Sequence, residues 1–332
     1  MDIFSKKQFE HVMNINIDKD MAKIINEKKN IESIEIDINN KKRRIFCLPK
    51  NSLIRTTQKK IQHTIFSDEH YPDCVCGYVE KKSYFDFLKP HCTKKYFLRI
   101  DIKNFFGSIS KEHLAILISE KIRVSDSEER KQITNFLLNI FFVDNNLPQG
   151  FSTSPVLSNL FFKRADLRIE KYCINQKITY TRYVDDLLFS SNQNNLKGTK
   201  VLSTIKYICN DFGLEINYKK IKRGINTFSL NGFVIDNEIR LSRKKLAYLK
   251  SFLFFLEQNC HKDNLNLLMF KEFGAKFYYT ENILSFLSGY RAFLISSLSN
   301  NQSTWNKKCR KIIERIEIMT AKLYKKSDSC KL

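Results

Sequence analysis

The segment ITYTRYVDDLLFSS (178–191) sets two adjacent aspartates, Asp185 and Asp186, between aromatic and apolar residues. The flanks read as paired strands and the aspartates as the tip of a tight turn. Crowded carboxylates repel one another, and burial raises the cost. A divalent cation removes that cost, and Mg2+ prefers one or two carboxylates together with substrate phosphates. Alone the pair is a weak signal, because turns favour Asp for its local hydrogen bonds. A second acidic strand end strengthens it. YFLRIDIKNFFGSIS (96–110) begins as an apolar strand that reaches Asp101, with basic residues on either side. Asp101, Asp185 and Asp186 are enough to hold two metal ions about 4 Å apart. One ion would acidify an attacking hydroxyl and the other would stabilise a leaving phosphate, which is phosphoryl transfer by positioning and electrostatics.

Between these segments lies LPQGFSTSPVLSNLFF (147–162), a polar loop feeding a helix. Gly150 permits close backbone approach, and Gln149, Ser152 and Ser154 are placed to meet a nucleotide or a template strand. Taken alone, the same residues describe an ordinary helix start, with Ser154 as cap and Pro155 in the first turn. Both readings stand together.

The elements that must carry these residues follow from the pattern. Residues 1–40 predict one or two short helices and then a half-exposed strand, IESIEIDI (31–38). A basic strand and turn follow at 41–60, which holds eight Lys or Arg and no acid. A buried strand is expected at 96–102, helices in two pieces over 111–143 and a helix over about 155–173. A strand pair comes next at 178–191, then a helix near 197–212 ended by Gly213. Short strands at 214–218 and 228–240 lead into a helical remainder. The order is unlike a βαβ repeat and predicts an α+β core with a helical C-terminal domain.

Composition fits a folded, nucleic-acid-binding protein. The hydrophobic fraction of 42% can build a core, and a net charge of +22 is best tolerated beside a polyanion. No stretch has the length of a signal peptide or a membrane span. The nine cysteines are scattered without a disulfide framework, so a cytoplasmic protein that does not enter the membrane is expected.

In order, DIKNFF, LPQGFSTSPVLSN, RYVDDLLFS, GLEINYKK and LNGFVI resemble the successive palm motifs of reverse transcriptases, with Tyr183–Asp186 similar to that family's catalytic turn. The resemblance covers about residues 41–250 and continues more loosely through the C-terminal helices. It implies a right-hand polymerase with fingers at 41–95 and 111–147, palm at 96–110 and 148–235, and a helical thumb at 236–332, preceded by an N-terminal helical segment at 1–40.

The resemblance also implies roles. Asp101, Asp185 and Asp186, with the Ile102 carbonyl as a further ligand, would bind two Mg2+ ions, for which Mn2+ can substitute. Phe106 would exclude a ribose 2′-hydroxyl. Gln149 and Gly150 would position the nucleotide. Arg44, with Lys42 as the weaker candidate, would grip the triphosphate of a dNTP. Lys220, or its neighbour Lys219, would protonate the leaving pyrophosphate.

Compact length and LPQGFSTSP look like the bacterial retron and defence-associated branch. GYVEKKSYFDFLKPH (77–91) keeps the His of a retron segment, at His91, and lacks its Asn-Ala. LNG (230–232) stands where retrons usually carry Val-Thr-Gly. This branch implies a dedicated noncoding RNA encoded nearby as template, an RNA/DNA hybrid as product, a role in antiphage defence and an effector protein as a further partner. The rivals are an idle polymerase fold that only scaffolds RNA and a mobile intron-type reverse transcriptase.

Two other features call for a reading. Cys74, Cys76, His91 and Cys92 lack the usual zinc-knuckle spacing and read better as buried thiols. In the last helix, from about 305 to 326, Ile312, Ile313, Ile316, Met319 and Leu323 share one face. Lys307, Lys308, Arg310, Lys311, Arg315, Lys322, Lys325 and Lys326 cover the rest. Such a face either solubilises the protein or tracks a nucleic-acid backbone, and Lys307, Lys308, Arg310 and Lys311 are the expected contacts. Tyr278, Tyr279, Tyr290 and Trp305 are candidates for stacking on bases.

Overall fold

A computed structural model of the chain describes residues 3–37, 42–298 and 303–329, the last four of these by backbone alone. Lys41 and the side chain of Lys326 lie outside the described residues. The chain divides into two compact units, Met1–Phe87 with Tyr96–Arg223, and Leu88–Lys95 with Gly224–Leu332.

The first unit opens with α1 (Lys6–Met13) and α2 (Ile17–Lys29), capped by the side chains of Ser5 and Asn16. An antiparallel hairpin follows, β1 (Glu32–Asp37) and β2 (Lys42–Cys47). β1 is exposed along its whole length, where a half-exposed strand was expected. β2 is half-buried only over Ile45–Cys47, and charge complementarity across the ladder helps hold the exposed part of the ribbon. Glu35 lies opposite Arg44 and Asp37 opposite Lys42. Helices α3 (Leu53–Thr64) and α4 (Tyr84–Leu88) come next.

β3 (Tyr96–Asp101) is the strand foreseen at 96–102. The two helical pieces after it are α5 (Lys111–Lys121) and α6 (Ser127–Phe141). Asp126 ends the polar joint between them by accepting from the backbone N–H of Glu128 and Glu129. Helix α7 (Ser154–Asn175) starts one residue earlier than the sequence suggests: Thr153 is its cap. Ser154 is the first helical residue, and its hydroxyl donates instead to the carbonyl of Pro148, at 2.6 Å.

β4 (Thr179–Tyr183) and β5 (Asp186–Ser191) form the expected hairpin. α8 (Lys200–Asn210) stops where Gly213, at φ +71°, bonds its N–H back to Asn210 at 2.9 Å. The strand expected at 214–218 is only a bridge from Ile216 to Ile102, followed by a tight 3-10 turn at Tyr218–Lys220. β6 (Lys222–Ile225) was not foreseen, because a short exposed run of KRGI carries no periodicity.

The sheet order is β4-β5-β3-β6. Flanked on both edges, β5 is buried at every position, which explains its unbroken apolar reading. Its register against β3 matters most: Asp186 lies directly opposite Asp101. A slip of one residue would send one of them to the other face.

The second unit has its own core. β7 (Phe228–Leu230), β8 (Phe233–Ile235) and β9 (Ile239–Leu241) make a small meander. Helices α9 (Arg243–Asn259), α10 (Leu265–Phe273), α11 (Thr280–Ser297) and α12 (Thr304–Ser329) follow. Ile312, Ile316, Met319 and Leu323 are buried in this core, and Ile313 is partly buried against it. Arg315 ties α12 to Glu257 of α9 at 2.8 Å, and Arg291 ties α11 to Glu317 of α12. The chain passes between the units at Arg223–Gly224 and includes Leu88–Lys95 in the second.

Candidate active site

The β4–β5 turn consists of Val184 and Asp185 alone, since Tyr183 pairs with Asp186. Val184 has φ +60°, a left-handed conformation that a β-branched residue rarely adopts. In a two-residue hairpin that position normally calls for glycine. Such strain persists only where the surroundings over-determine it, and it clusters at functional sites. One of those surroundings is Gly77: a Cβ there would come within 2.6 Å of the Val184 nitrogen.

Asp101 and Asp186 are buried and Asp185 is half-buried. The backbone N–H of Ile102 donates to the Asp185 carbonyl at 3.0 Å, which pins the turn to the end of β3. Burial first, then the neighbouring Asp186 and Asp101 carboxylates, push Asp185 above the usual carboxylate range. Burial does the same to Asp186, against the opposing pull of Arg99. Two cations answer this concentration of charge. Arg99 donates to Asp186 from Nε at 2.8 Å and also from Nη2. Lys220 Nζ donates to Asp101 Oδ2 at 2.5 Å, and Asn217 Nδ2 donates to Asp101 Oδ1 at 3.1 Å.

The three carboxylates are neighbours, yet oxygens of Asp101 and Asp186 are turned onto cations. Among the described residues no three Asp, Glu, His or Cys side chains converge as a ready metal cage. The donor set nevertheless suits a hard divalent ion: carboxylate and carbonyl oxygens, mutually repelling, at the meeting point of two strands. A metal there would compete with Arg99 and Lys220 for the same oxygens.

Of the two lysines weighed for proton donation, Lys220 is the one on Asp101, while Lys219 lines an open 650 Å³ pocket with Tyr218, Lys206 and Lys103. Phe106 begins a 3-10 turn after β3, half-buried, edge-on to Tyr78 with ring centroids 6.5 Å apart. Gly150 has φ +109°, and a Cβ there would lie 2.3 Å from the Phe46 carbonyl. The close approach foreseen at Gly150 is therefore made by the backbone of β2, and the Phe46 N–H donates to the Gln149 carbonyl at 2.8 Å. Arg44 is exposed on that strand, bonded to Ser33 at 2.9 Å and stacked over Phe46. Lys42 is exposed too and pairs with Glu35 at 3.6 Å. Ser152 donates to Gln58 at 3.3 Å.

In the second unit Lys307, Lys308, Arg310 and Lys311 are all exposed. Tyr278 and Tyr279 are exposed, Tyr290 is partly buried and Trp305 is buried, so the first two of these four present the most ring surface for stacking. Cys74 and Cys76 are core thiols, and burial pushes Cys76 up to about 11.

Arg99 and Asn217 are the site residues that the sequence reading missed. Arg99 was legible: it sits two residues before Asp101 on the same strand, hence on the same face. Asn217 was not, because the 3-10 turn that carries it breaks all periodicity.

The family profile described as "Reverse transcriptase (RNA-dependent DNA polymerase)" matches residues 26–252. The retron Ec83 reverse transcriptase of Escherichia coli is 28% identical over 60% of this chain and 68% of its own length. The retron Se72 reverse transcriptase of Salmonella heidelberg is 26% identical over 68% of this chain and 60% of its own. The chain thus spans between three fifths and about two thirds of these relatives. Apo telomerase from Candida Tropicalis aligns over 88% of this chain and 62% of that one, at 12% identity and a TM-score of 0.47, too distant to carry an argument. The family profile spans both acidic strand ends and the loop between them, and its fold class is the α+β right-hand polymerase: this chain belongs to the reverse transcriptase family.

Proposed function

We propose that this protein copies RNA into DNA, adding deoxynucleotides from dNTPs to a primer end at Asp101, Asp185 and Asp186. The observation that carries the reading is the β3–β5 register, which sets Asp101 opposite Asp186 with Asp185 in the adjoining turn. The family works with divalent metal ions. Two Mg2+ ions held by the three carboxylates and the Ile102 carbonyl would supply Lewis-acid activation of the primer hydroxyl and the leaving group.

The protein's own side chains do the rest. Lys220, which donates to Asp101, would give its proton to the departing pyrophosphate. Arg44 and Lys42 meet the triphosphate from the exposed β1–β2 hairpin. Gln149 and Gly150 hold the nucleotide loop against β2. Arg44 and Lys42 are exposed, with Ser33 and the Phe46 ring as partners of the first and Glu35 as partner of the second.

Phe106 acts as a steric gate in this reading. Phe106→Ala should raise ribonucleotide incorporation relative to deoxynucleotide incorporation, by about tenfold or more, because the discrimination is van der Waals overlap. Comparing dNTP and rNTP extension in the two proteins tests this, and an unchanged ratio would place the gate elsewhere.

The template is proposed to be a dedicated, structured noncoding RNA encoded near the gene. The kinship to retron enzymes supports this, as does charge: +22 is more than a short primer–template needs. Charge alone gives weak and salt-sensitive binding, roughly 10⁻⁴ to 10⁻⁶ M at physiological salt, so a dedicated partner needs shape and stacking as well. Exposed Tyr278 and Tyr279 are suited to the stacking. The same kinship supports a role in phage defence with an effector protein as partner. The experiment is to wash the purified protein at high salt, sequence the nucleic acid that stays bound, and extend it with dNTPs and Mg2+. One enriched RNA, converted to DNA, is the expected result. A random sample of transcripts would leave a general reverse transcriptase, and no extension would sink the reading.

A further inference from the structure

Arg182 is among the largest fully buried side chains of the described residues, and it plays no part in the chemistry of the aspartates. It lies on β4, two residues before Val184. Its Nε donates to Asp166 Oδ1 at 2.9 Å, and its Nη2 donates to Asp166 Oδ2 at 2.7 Å and to Asn159 Oδ1 at 3.1 Å. The third nitrogen, Nη1, donates at 3.0 Å to the carbonyl of Val184, the strained residue of the aspartate turn. The Tyr180 hydroxyl donates to Asp166 at 2.8 Å, and Asn159 Nδ2 donates to the Gly77 carbonyl at 2.9 Å. Asn159, Phe162 and Asp166 share one face of α7, and Phe162 lies under the guanidinium at 4.7 Å. The backbone around Arg182 is fixed as well: its N–H reaches the Cys74 carbonyl at 2.7 Å and its carbonyl accepts from Cys76 at 2.8 Å.

A buried ion pair is a poor device for stability, because apolar residues of the same volume often serve as well. What apolar residues cannot supply is a donor to the Val184 carbonyl. A planar guanidinium, fixed on one edge by a carboxylate and an amide, presents its remaining nitrogen in one direction only. The same network grips Gly77, whose missing Cβ lets its backbone lie against the Val184 nitrogen. The turn is thus held at its carbonyl by Arg182 and crowded at its nitrogen by Gly77, and both holds run back to α7.

We propose that Arg182, with Asp166 and Asn159, is a positioning device for catalysis: it holds the Val184–Asp185 turn in its strained form and so sets the separation of the Asp185 and Asp186 carboxylates from Asp101. This rests on the reading of those aspartates as metal ligands. Groups that orient metal ligands from behind typically change metal affinity or activity by about 10–100-fold when altered.

The test uses two variants of the full chain. Arg182→Lys keeps the buried cation beside Asp166 and loses the fork that reaches Val184. The triple variant Arg182→Met, Asp166→Leu, Tyr180→Phe removes the buried charges together and leaves the Val184 carbonyl without its donor. Binding of Mn2+ alone is followed by the electron paramagnetic resonance of the free ion, and primer extension gives kcat and the dNTP KM. Folded variants should bind Mn2+ about tenfold or more weakly and lose kcat by about 10–100-fold, with KM within about threefold of wild type. A merely structural role would lower the melting temperature and leave Mn2+ affinity and kcat per folded molecule unchanged. Folded variants within about twofold of wild type in both readouts would overturn the proposal, and so would the unfolding of both. Asp185→Asn separates this failure from that of the underlying reading: an active Asp185→Asn protein sinks the metal-ligand assignment itself, whereas an inactive one beside a wild-type-like Arg182→Lys sinks only the positioning role.

Discussion

Asp185→Asn should abolish nucleotide addition, by on the order of 10³-fold or more, while the protein keeps its fold and its grip on RNA. The amide matches the carboxylate in shape and removes one negative charge from a site whose chemistry depends on charge. Asp185 stands in a two-residue turn, half-buried, and its backbone carbonyl, which the Ile102 N–H holds, is untouched by the change. The remaining carboxylates keep their own partners, Arg99 on Asp186 and Lys220 on Asp101. The folded protein even loses a source of repulsion, since Asp186 and Asp101 both push Asp185 upward. Melting temperature and RNA affinity should therefore stay near wild type. Primer extension on an RNA template with Mg2+ measures the loss, and activity within a few-fold of wild type would remove Asp185 from the catalytic centre.

That this site was legible before any coordinates is a matter of chemistry concentrated in sequence. Asp101, Asp185 and Asp186 are acids set into strands that are otherwise apolar, and acids at such positions demand a counter-charge. The strands around them were legible from apolar patterning: β5, above all, is buried on both faces and reads as one apolar run. The β3–β5 register was not, because only the pairing itself sets Asp101 opposite Asp186. Arg182 and Asp166 were also passed over. Separately each is one charged residue in a helix or strand of mixed character, and only the fold brings α7 and β4 together at 2.7 Å. Ser152 and Ser154 illustrate the local alternative. Their place in a polar loop suggested ligand contact, yet their hydroxyls are spent on Gln58 and on the Pro148 carbonyl. A hydroxyl near a chain reversal is more often satisfied locally than held for a ligand.

Charge reversal on α12, replacing Lys307, Lys308, Arg310 and Lys311 with Glu, should weaken binding of RNA or RNA/DNA hybrid by on the order of 10²-fold near physiological salt and flatten its salt dependence. The four side chains are exposed, while Cys309, Ile312 and Ile316 from the same turns are buried, so the substitutions leave the packing of α12 intact. Arg315 is the cation on this helix to spare, because it is already committed to Glu257 of α9. Each phosphate that the helix no longer neutralises should lower the slope of log affinity against log salt by roughly 0.7–0.9, so that four such phosphates change it by about three. Binding measured across a salt series distinguishes the mechanisms. A fall in affinity with a matching fall in slope identifies direct engagement of the nucleic-acid backbone. A fall in affinity at constant slope would mean that the helix acts through the packing of its apolar face, and no change in either would make the cationic face a solubilising surface.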